Sequence, residues 1–358
     1  MLRIKDNPGT IRTHEFSTIN PVERFSDFPK IDRTNSRKYF EILVEKINHD
    51  LSVAVSTEFP PNLYNPMRYV LSTKGKRLRP VLLIMASESV GGKLENAYYA
   101  SLAIEILHNF TLVHDDIMDD DELRRGRQTV HTKWNESIAI LAGDGLIALA
   151  YRYLLLTKSR HIRNIIKIFS EAIINICEGQ SIDKDMEEAE QVSLEDYLYM
   201  IGRKTGVLMG VSAELGGILG KGSEKQVNGL KKFGLDLGTA FQIQDDLLDI
   251  ISDQSVIGKD LGSDLAQGKK TYPILLLLDR ASPRDAEKAR KTLAYSQADS
   301  GGLKQIQKMI YKYDIVNTIK REVDILLDRA NSHLKDLSSS AETGSLMFLS
   351  DIIRNRQH

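Results

Sequence analysis

Apolar residues recur at helical spacing through most of the chain, and no stretch of any length alternates as a β-strand would. The first periodic run begins near Ser36 and continues through Asn48 (YFEILVEKIN), until Pro60 and Pro61 break it. A second helix fits Asn65–Ser72. The basic turn KGKRLRP, Lys74–Pro80, leads into VLLIMASESVGG, whose glycines close that helix. Glu95–Asp121 reads as one long helix whose apolar stripe ends in aspartates. Ser137–Leu156 and His161–Gln180 are two further apolar helices, Leu194–Leu219 contains Lys204-Thr205-Gly206, and Glu224–Ser252 carries a second acidic group. The segment Ile257–Pro273, IGKDLGSDLAQGKKTYP, predicts a loop with a short helical piece, after which Pro273 opens another helix. From Ser282 onward the helices are shorter and more charged. Residues 1–35 are polar and without period, an extension ahead of a single domain over residues 36–358. With no linker and no short repeat, the pattern predicts an all-α domain: one large helical bundle with its site between facing helices.

Composition narrows this picture little. The 358 residues suffice for one large domain, and 48 lysines and arginines against 49 aspartates and glutamates leave a net charge of −1, so nothing global calls for nucleic acid or an anionic membrane. Cys177 is the only cysteine, which excludes an intramolecular disulfide and suits a reducing, cytoplasmic setting; it is expected as a small core residue. The N-terminus lacks a basic region followed by an apolar stretch, so no secretory signal is read there, and no uninterrupted apolar run reaches the length of a membrane span.

The chemistry lies in the stretch His108–His131, HNFTLVHDDIMDDDELRRGRQTVH. Asp115 and Asp119 are one helical turn apart, so both carboxylates project from one face, with Asp116 beside them. Phe241–Asp249, FQIQDDLLD, repeats the spacing with Asp245, Asp246 and Asp249, again inside an apolar run. One DDxxD arises by chance on many solvated helices; two inside apolar helices are a far stronger signal. Facing each other, six carboxylates would suit Mg²⁺ ions gripping a polyphosphate. Basic residues cluster around both motifs: Lys76 and Arg79 before a helix, Arg124 and Arg125 after the first aspartates, and Lys204, Lys259 and Lys269 around the second. Singly each reads as a solvated charge; together they predict two diphosphate sites, one metal-bridged and one purely basic. His108, two turns before Asp115, can reach the same cavity. His114 and His131 read as ordinary packing, Asp120, Asp121 and Glu122 as a solvated extension, and Trp134 as core.

These motifs, in this order over roughly Asn62–Arg280, resemble those of the trans-isoprenyl diphosphate synthases, which make farnesyl, geranylgeranyl and longer polyprenyl diphosphates. The resemblance implies an isoprenoid-synthase bundle with a central cavity, a cytoplasmic homodimer, and about three Mg²⁺ ions per site, with Mn²⁺ an alternative. By matching positions, Lys76, Arg79, His108 and Arg125 would hold the diphosphate of isopentenyl diphosphate, and Arg124, Lys204 and Lys259 the allylic diphosphate. Asp115, Asp119 and Asp245 match the main metal ligands, and Asp116, Asp246 and Asp249 the supporting carboxylates. Thr205 and Gln242 match polar groups facing a carbocation, and Lys269 a basic residue of a closing loop. The implied reaction ionises the allylic C–O bond, after which the isopentenyl double bond attacks carbon 1 and a proton leaves, with the released diphosphate as base.

Product length is partly readable. Each turn back from Asp115 is roughly 5.4 Å deeper, placing Thr111 one turn down and Leu107 two, with Phe110 able to plug the cavity and Ile138–Leu149 forming the opposite wall. Phe110 followed by the small Thr111, with no insertion between the aspartates, resembles short-chain geranylgeranyl synthases, so a twenty-carbon product is expected, then fifteen or a longer chain. A terpene cyclase would not need the second DDxxD, KGKRLRP and RRG together. A noncatalytic partner subunit would usually have lost one aspartate motif, and a plain helical scaffold leaves the order of the motifs unexplained.

Overall fold

Asn35 starts the first helix: its side-chain oxygen accepts the backbone N–H of Lys38, and α1 spans Ser36–Ser52. The computed structural model describes residues 35–251, 269–295, 300–337 and 341–356. The expected N-terminal extension therefore lies outside the described residues except for Asn35, as does most of the loop expected at 257–273, Lys259 included. Helix α2, Pro61–Leu71, begins at the proline pair and not at Asn65. Pro61 occupies the first turn, where a missing N–H costs no intrahelical bond, so the residue read as a breaker is an opener.

The frame consists of α3 (Leu78–Ser89), α4 (Leu94–Met118), α6 (Glu136–Leu155), α7 (Ile162–Glu188), α9 (Val207–Leu219) and α10 (Glu224–Ile251). Helix α3 is buried nearly all round, packed on α4, α9 and α1. That enclosure requires close approach. Gly216 of α9 lies against the Leu83 carbonyl of α3, where a Cβ would overlap the oxygen and lie 2.8 Å from the Ala86 methyl. Helix α6 packs along α4 through the buried residues Ala139, Ala142, Gly143 and Leu146. By length and composition α6 could cross a membrane, but Asp144 and Arg152 interrupt it and one side is committed to the bundle. The rim is completed by α5 (Val130–Lys133), α8 (Leu194–Ile201), α11 (Tyr272–Arg280), α12 (Pro283–Tyr295), α13 (Ser300–Lys312), α14 (Ile315–Ser332) and α15 (Ala341–Arg354). Helix α11 opens with Pro273 in its first turn, as expected.

Three departures from the expected pattern matter for the site. Helix α4 stops at Met118, short of Asp121, because Asp120 turns left-handed at φ 51. The run 194–219 is not one α-helix: Gly202–Gly206, holding Lys204 and Thr205, forms a π-helical turn between α8 and α9. Helix α7 continues eight residues past Gln180, to Glu188. Among the described residues the only strands are Leu123–Arg124 and Arg127–Gln128, an antiparallel pair closed by Arg125 (φ 53) and Gly126 (φ 71). Two positive φ angles give the twist that a two-residue hairpin needs.

Gly216→Ala is expected to lower stability by about 1–3 kcal/mol, because its Cβ meets backbone that cannot step aside. Gly344→Ala, at an exposed position of α15 with nothing within 4 Å of its Cβ, should be neutral or stabilising by up to about 1 kcal/mol. Thermal unfolding of both variants checks the contrast.

Candidate active site

The first aspartate motif divides at the end of α4. The Asp119 N–H still bonds the Asp115 carbonyl at 2.9 Å, so these two remain stacked one turn apart. Asp116 is buried and turns to the hairpin, where Arg124 Nε donates to it at 2.5 Å. Asp119 lies between Lys184 at 2.7 Å and Lys269 at 2.8 Å. Burial alone would raise the Asp119 pKa, but Lys269, Lys184 and Lys204 outweigh it and hold the carboxyl at about 2. Asp115 goes the other way: burial raises its pKa, assisted by Asp119 and opposed by Lys204.

Lys204 stands on the π-turn. Gly179 of α7 sits against the Lys204 backbone, where a Cβ would lie 2.8 Å from its Cα. The ammonium donates to Asp183 at 2.6 Å. Burial works against its charge, yet Asp115 and Asp183 together raise its pKa. Thr205 beside it donates to Gln242 Oε1 at 3.0 Å, and Gln242 Nε2 donates to Asp246 at 2.8 Å. Asp246, buried on α10, also accepts the Tyr197 hydroxyl and, at 3.1 Å, the backbone N–H of Tyr272. The two polar groups and the central aspartate of the second motif thus form one hydrogen-bonded chain. Asp245 pairs at 2.5 Å with Arg356, whose guanidinium also lies 4.8 Å above the Phe241 ring. Asp249 is half-buried one turn beyond Asp245.

A second, basic group lies between α3 and α4. Arg79 Nη1 is 3.2 Å from His108 Nε2. Burial, reinforced by Arg79, Arg125, Arg124 and Arg77, pushes the His108 pKa well below the usual range. A neutral imidazole then accepts from Arg79. Arg125 Nη1 donates to the Lys74 carbonyl at 3.1 Å, and exposed Lys76 feels Arg356 and Asp245 as well as Arg125. The expected product-length residues share one stretch of α4. Leu107 is fully buried, Phe110 is buried, and half-buried Thr111 donates its hydroxyl to the His108 carbonyl at 2.8 Å. Among the described residues no three Asp, Glu, His or Cys side chains converge on one point as a self-sufficient metal cage. Hard oxygen donors on two helices, already balanced by lysines and two arginines, fit Mg²⁺, which takes many of its ligands from phosphate and water.

Residues 60–310 match the family model described as polyprenyl synthetase. The chain belongs to the polyprenyl synthetase family. It is similar to the short chain isoprenyl diphosphate synthase of Methanothermobacter thermautotrophicus, 35% identical over 326 residues that cover 90% of this chain and 98% of that one. It is also similar to the geranylgeranyl diphosphate synthase of Saccharolobus solfataricus, 41% identical over 281 residues, 77% of this chain and 84% of the relative. The crystal structure of geranylgeranyl pyrophosphate synthetase from Pyrococcus horikoshii superposes with a TM-score of 0.83 at 33% identity, covering 89% of this chain and 99% of that one. The protein is thus an all-α prenyltransferase.

Several groups at the synthetase's site escape a reading by pattern. Arg77, 3% exposed and left-handed at φ 49, donates to Glu105 at 2.5 Å, to Asn48 at 2.8 Å and to the Thr73 carbonyl at 2.5 Å. It fixes the turn that carries Lys76 and starts α3, in whose first turn, and not before it, Arg79 stands. Its partner Glu105 was visible as a lone charge inside the run LAIEIL, Leu102–Leu107. Asp183 and Lys184 fall on the unexpected extension of α7. Lys270 donates to the carbonyls of Met186 at 2.7 Å and Ala189 at 2.5 Å, so the segment bearing Lys269 is pinned to the end of that helix. Cys177 is a correction: it is exposed, because the buried stripe of α7 runs through Ala172, Ile176, Gly179 and Gln180 and leaves residue 177 beside it. Trp134 is only half-buried, meeting Tyr69 edge-on at 5.3 Å with the Lys133 ammonium above it. Asp121 is not wholly solvated, since it lies 3.6 Å from Arg124.

Arg77→Met should cost the synthetase about 3–5 kcal/mol by stranding the Glu105 carboxylate in the core. The double variant with Glu105→Gln should recover most of that loss. Urea unfolding of the single and double variants gives the comparison.

Proposed function

We propose that this synthetase condenses isopentenyl diphosphate with an allylic diphosphate, head to tail and with Mg²⁺, to give trans geranylgeranyl diphosphate. One observation carries the reading: a carboxylate-lined space with lysines stands beside a separate group of Arg79, neutral His108, Arg125 and Lys76. Two anions of different metal requirement suit those two environments. Asp115, Asp119 and Asp245 would hold Mg²⁺, with Asp116, Asp246 and Asp249 supporting them. Mg²⁺, when bound, neutralises charge gathering on the leaving diphosphate.

The chain's own residues account for the rest. Arg124 and Lys204 add fixed positive charge toward the allylic diphosphate; Lys259 belongs with them by resemblance. Lys269 on Asp119 brings the segment after residue 268 over the first motif and keeps water from the reacting centre. Having donated to Gln242, the Thr205 hydroxyl retains lone pairs for a neighbouring cation. The basic group of Arg79, His108, Arg125 and Lys76 orients isopentenyl diphosphate for attack. Phe110 forms the floor of the cavity, and the small Thr111 beside it sets that floor at twenty carbons, with fifteen the next length. A homodimer belongs to the same reading, with support from Ile140, Leu141 and Leu155, exposed at 42%, 52% and 61% on the side of α6 away from the bundle. A second copy covering that side would account for its apolar character without membrane insertion, in keeping with a cytoplasmic enzyme.

Purified protein incubated with labelled isopentenyl diphosphate, Mg²⁺ and five-, ten- or fifteen-carbon allylic diphosphates should give a linear twenty-carbon product. Absence of condensation with every primer, in protein shown to be folded, would leave the noncatalytic-subunit reading in its place. Asp119→Ala and Asp245→Ala should each lower kcat by about 10²-fold or more, the scale of losing an electrostatic contact to the transition state. Phe110→Ala should lengthen the product.

A further inference from the structure

We infer that His114 is a positioning residue for product length, wedged between Gly143 of α6 and the Phe110 ring so that α6 sets the height of the cavity floor. The inference rests on the reading of Phe110 as that floor. His114 and Phe110 are one turn apart on α4 and lie on one face. Their rings meet edge to face, with centroids 4.7 Å apart and planes inclined at 62°. The far side of the imidazole is closed by α6. Gly143 is buried there, and a Cβ built on it would lie inside the imidazole's van der Waals surface, overlapping Nε2 and Cδ2. The Ile140 carbonyl, one turn earlier on α6, lies 3.5 Å from His114 Nε2.

The imidazole therefore occupies a notch that exists because residue 143 has no side chain. Toward Gly143 it has no room to retreat, toward Phe110 it already touches the ring, and its remaining edge is partly open. Phe110 by itself is an aromatic side chain with rotational freedom. With His114 behind it, the ring has a fixed edge to lean on, and the space above it stays constant as a hydrocarbon tail presses down. Ordinary helix packing would account for the contact but would not tie Gly143 to the length of a product.

The test reads product distribution, which a purely structural role leaves unchanged even when the rate falls. His114→Ala is expected to raise the share of products longer than the parent's several-fold. Gly143→Ala keeps both rings, presses the imidazole toward Phe110, and should shift the distribution to shorter chains. Phe110→Ala is the reference, and Phe110→Ala combined with His114→Ala should match it, because the histidine acts through the phenylalanine. If Phe110→Ala lengthens the product while both His114→Ala and Gly143→Ala keep the parental distribution, the brace is wrong and the floor stands. If Phe110→Ala changes nothing, the floor reading fails and takes the brace with it. Further lengthening by His114→Ala in the Phe110→Ala background would show independent action and overturn the inference.

Discussion

Asp119 between Lys184 and Lys269 is the contact on which the arrangement of the site depends. A carboxylate on a helix end, half withdrawn from water and beside Asp115, is unfavourable alone. Two ammonium groups from distant parts of the chain offset that cost, and by doing so they bring α7 and the segment before α11 to the end of α4. The same rule operates at Asp116 with Arg124, at Lys204 with Asp183 and at Asp245 with Arg356. The acidic residues therefore work as anchors for the surrounding elements as well as candidate ligands. A cation that competes with a lysine or with Arg356 for one of these carboxylates acts on the position of a whole segment.

The polar interior is possible because the apolar frame is so closely packed. Helix α3 is enclosed on nearly all sides, and the approach of α9 to it leaves no space at Gly216 for even a methyl group. Buried ions such as Arg77 and Glu105 are tolerated in such a frame when their geometry is fixed by several hydrogen bonds. Here the fixed geometry is the left-handed turn ahead of α3. Backbone conformation, buried charge and the placement of Lys76 and Arg79 are thus one structural fact.

Much of this was legible in the sequence, for physical reasons. Carboxylates at i and i+4 inside apolar runs must share a face, so the positions of Asp115 with Asp119 and of Asp245 with Asp249 follow from helix geometry. The helices themselves followed from periodicity, apart from their ends. What escaped depended on tertiary contact. The π-turn at Lys204, Gly-Arg-Lys-Thr-Gly, carries no pattern that distinguishes it from a glycine-containing stretch of α-helix, and its widening accompanies packing against Gly179. The extension of α7 past Gln180 is polar and so fell outside the apolar run; its end is held by Lys270, far off in sequence. Arg356 has no local pattern at all, and its role is visible only once the C-terminal end meets Phe241 and Asp245. Cys177 was misplaced because composition gives a cysteine's average preference and not its side of the helix.

The hairpin Leu123–Gln128 has a further consequence. Arg124 turns to Asp116 and the next residue, Arg125, to the Lys74 carbonyl, so one peptide unit separates a cation committed to the carboxylate group from a cation committed to the basic group. Consecutive Cα atoms are held about 3.8 Å apart by covalent geometry. Helices around the cavity can lean or slide without altering that interval. The two halves of the site are thus tied to each other by the covalent geometry of one peptide unit and not by packing alone, and this six-residue hairpin acts as a divider between the two anion environments.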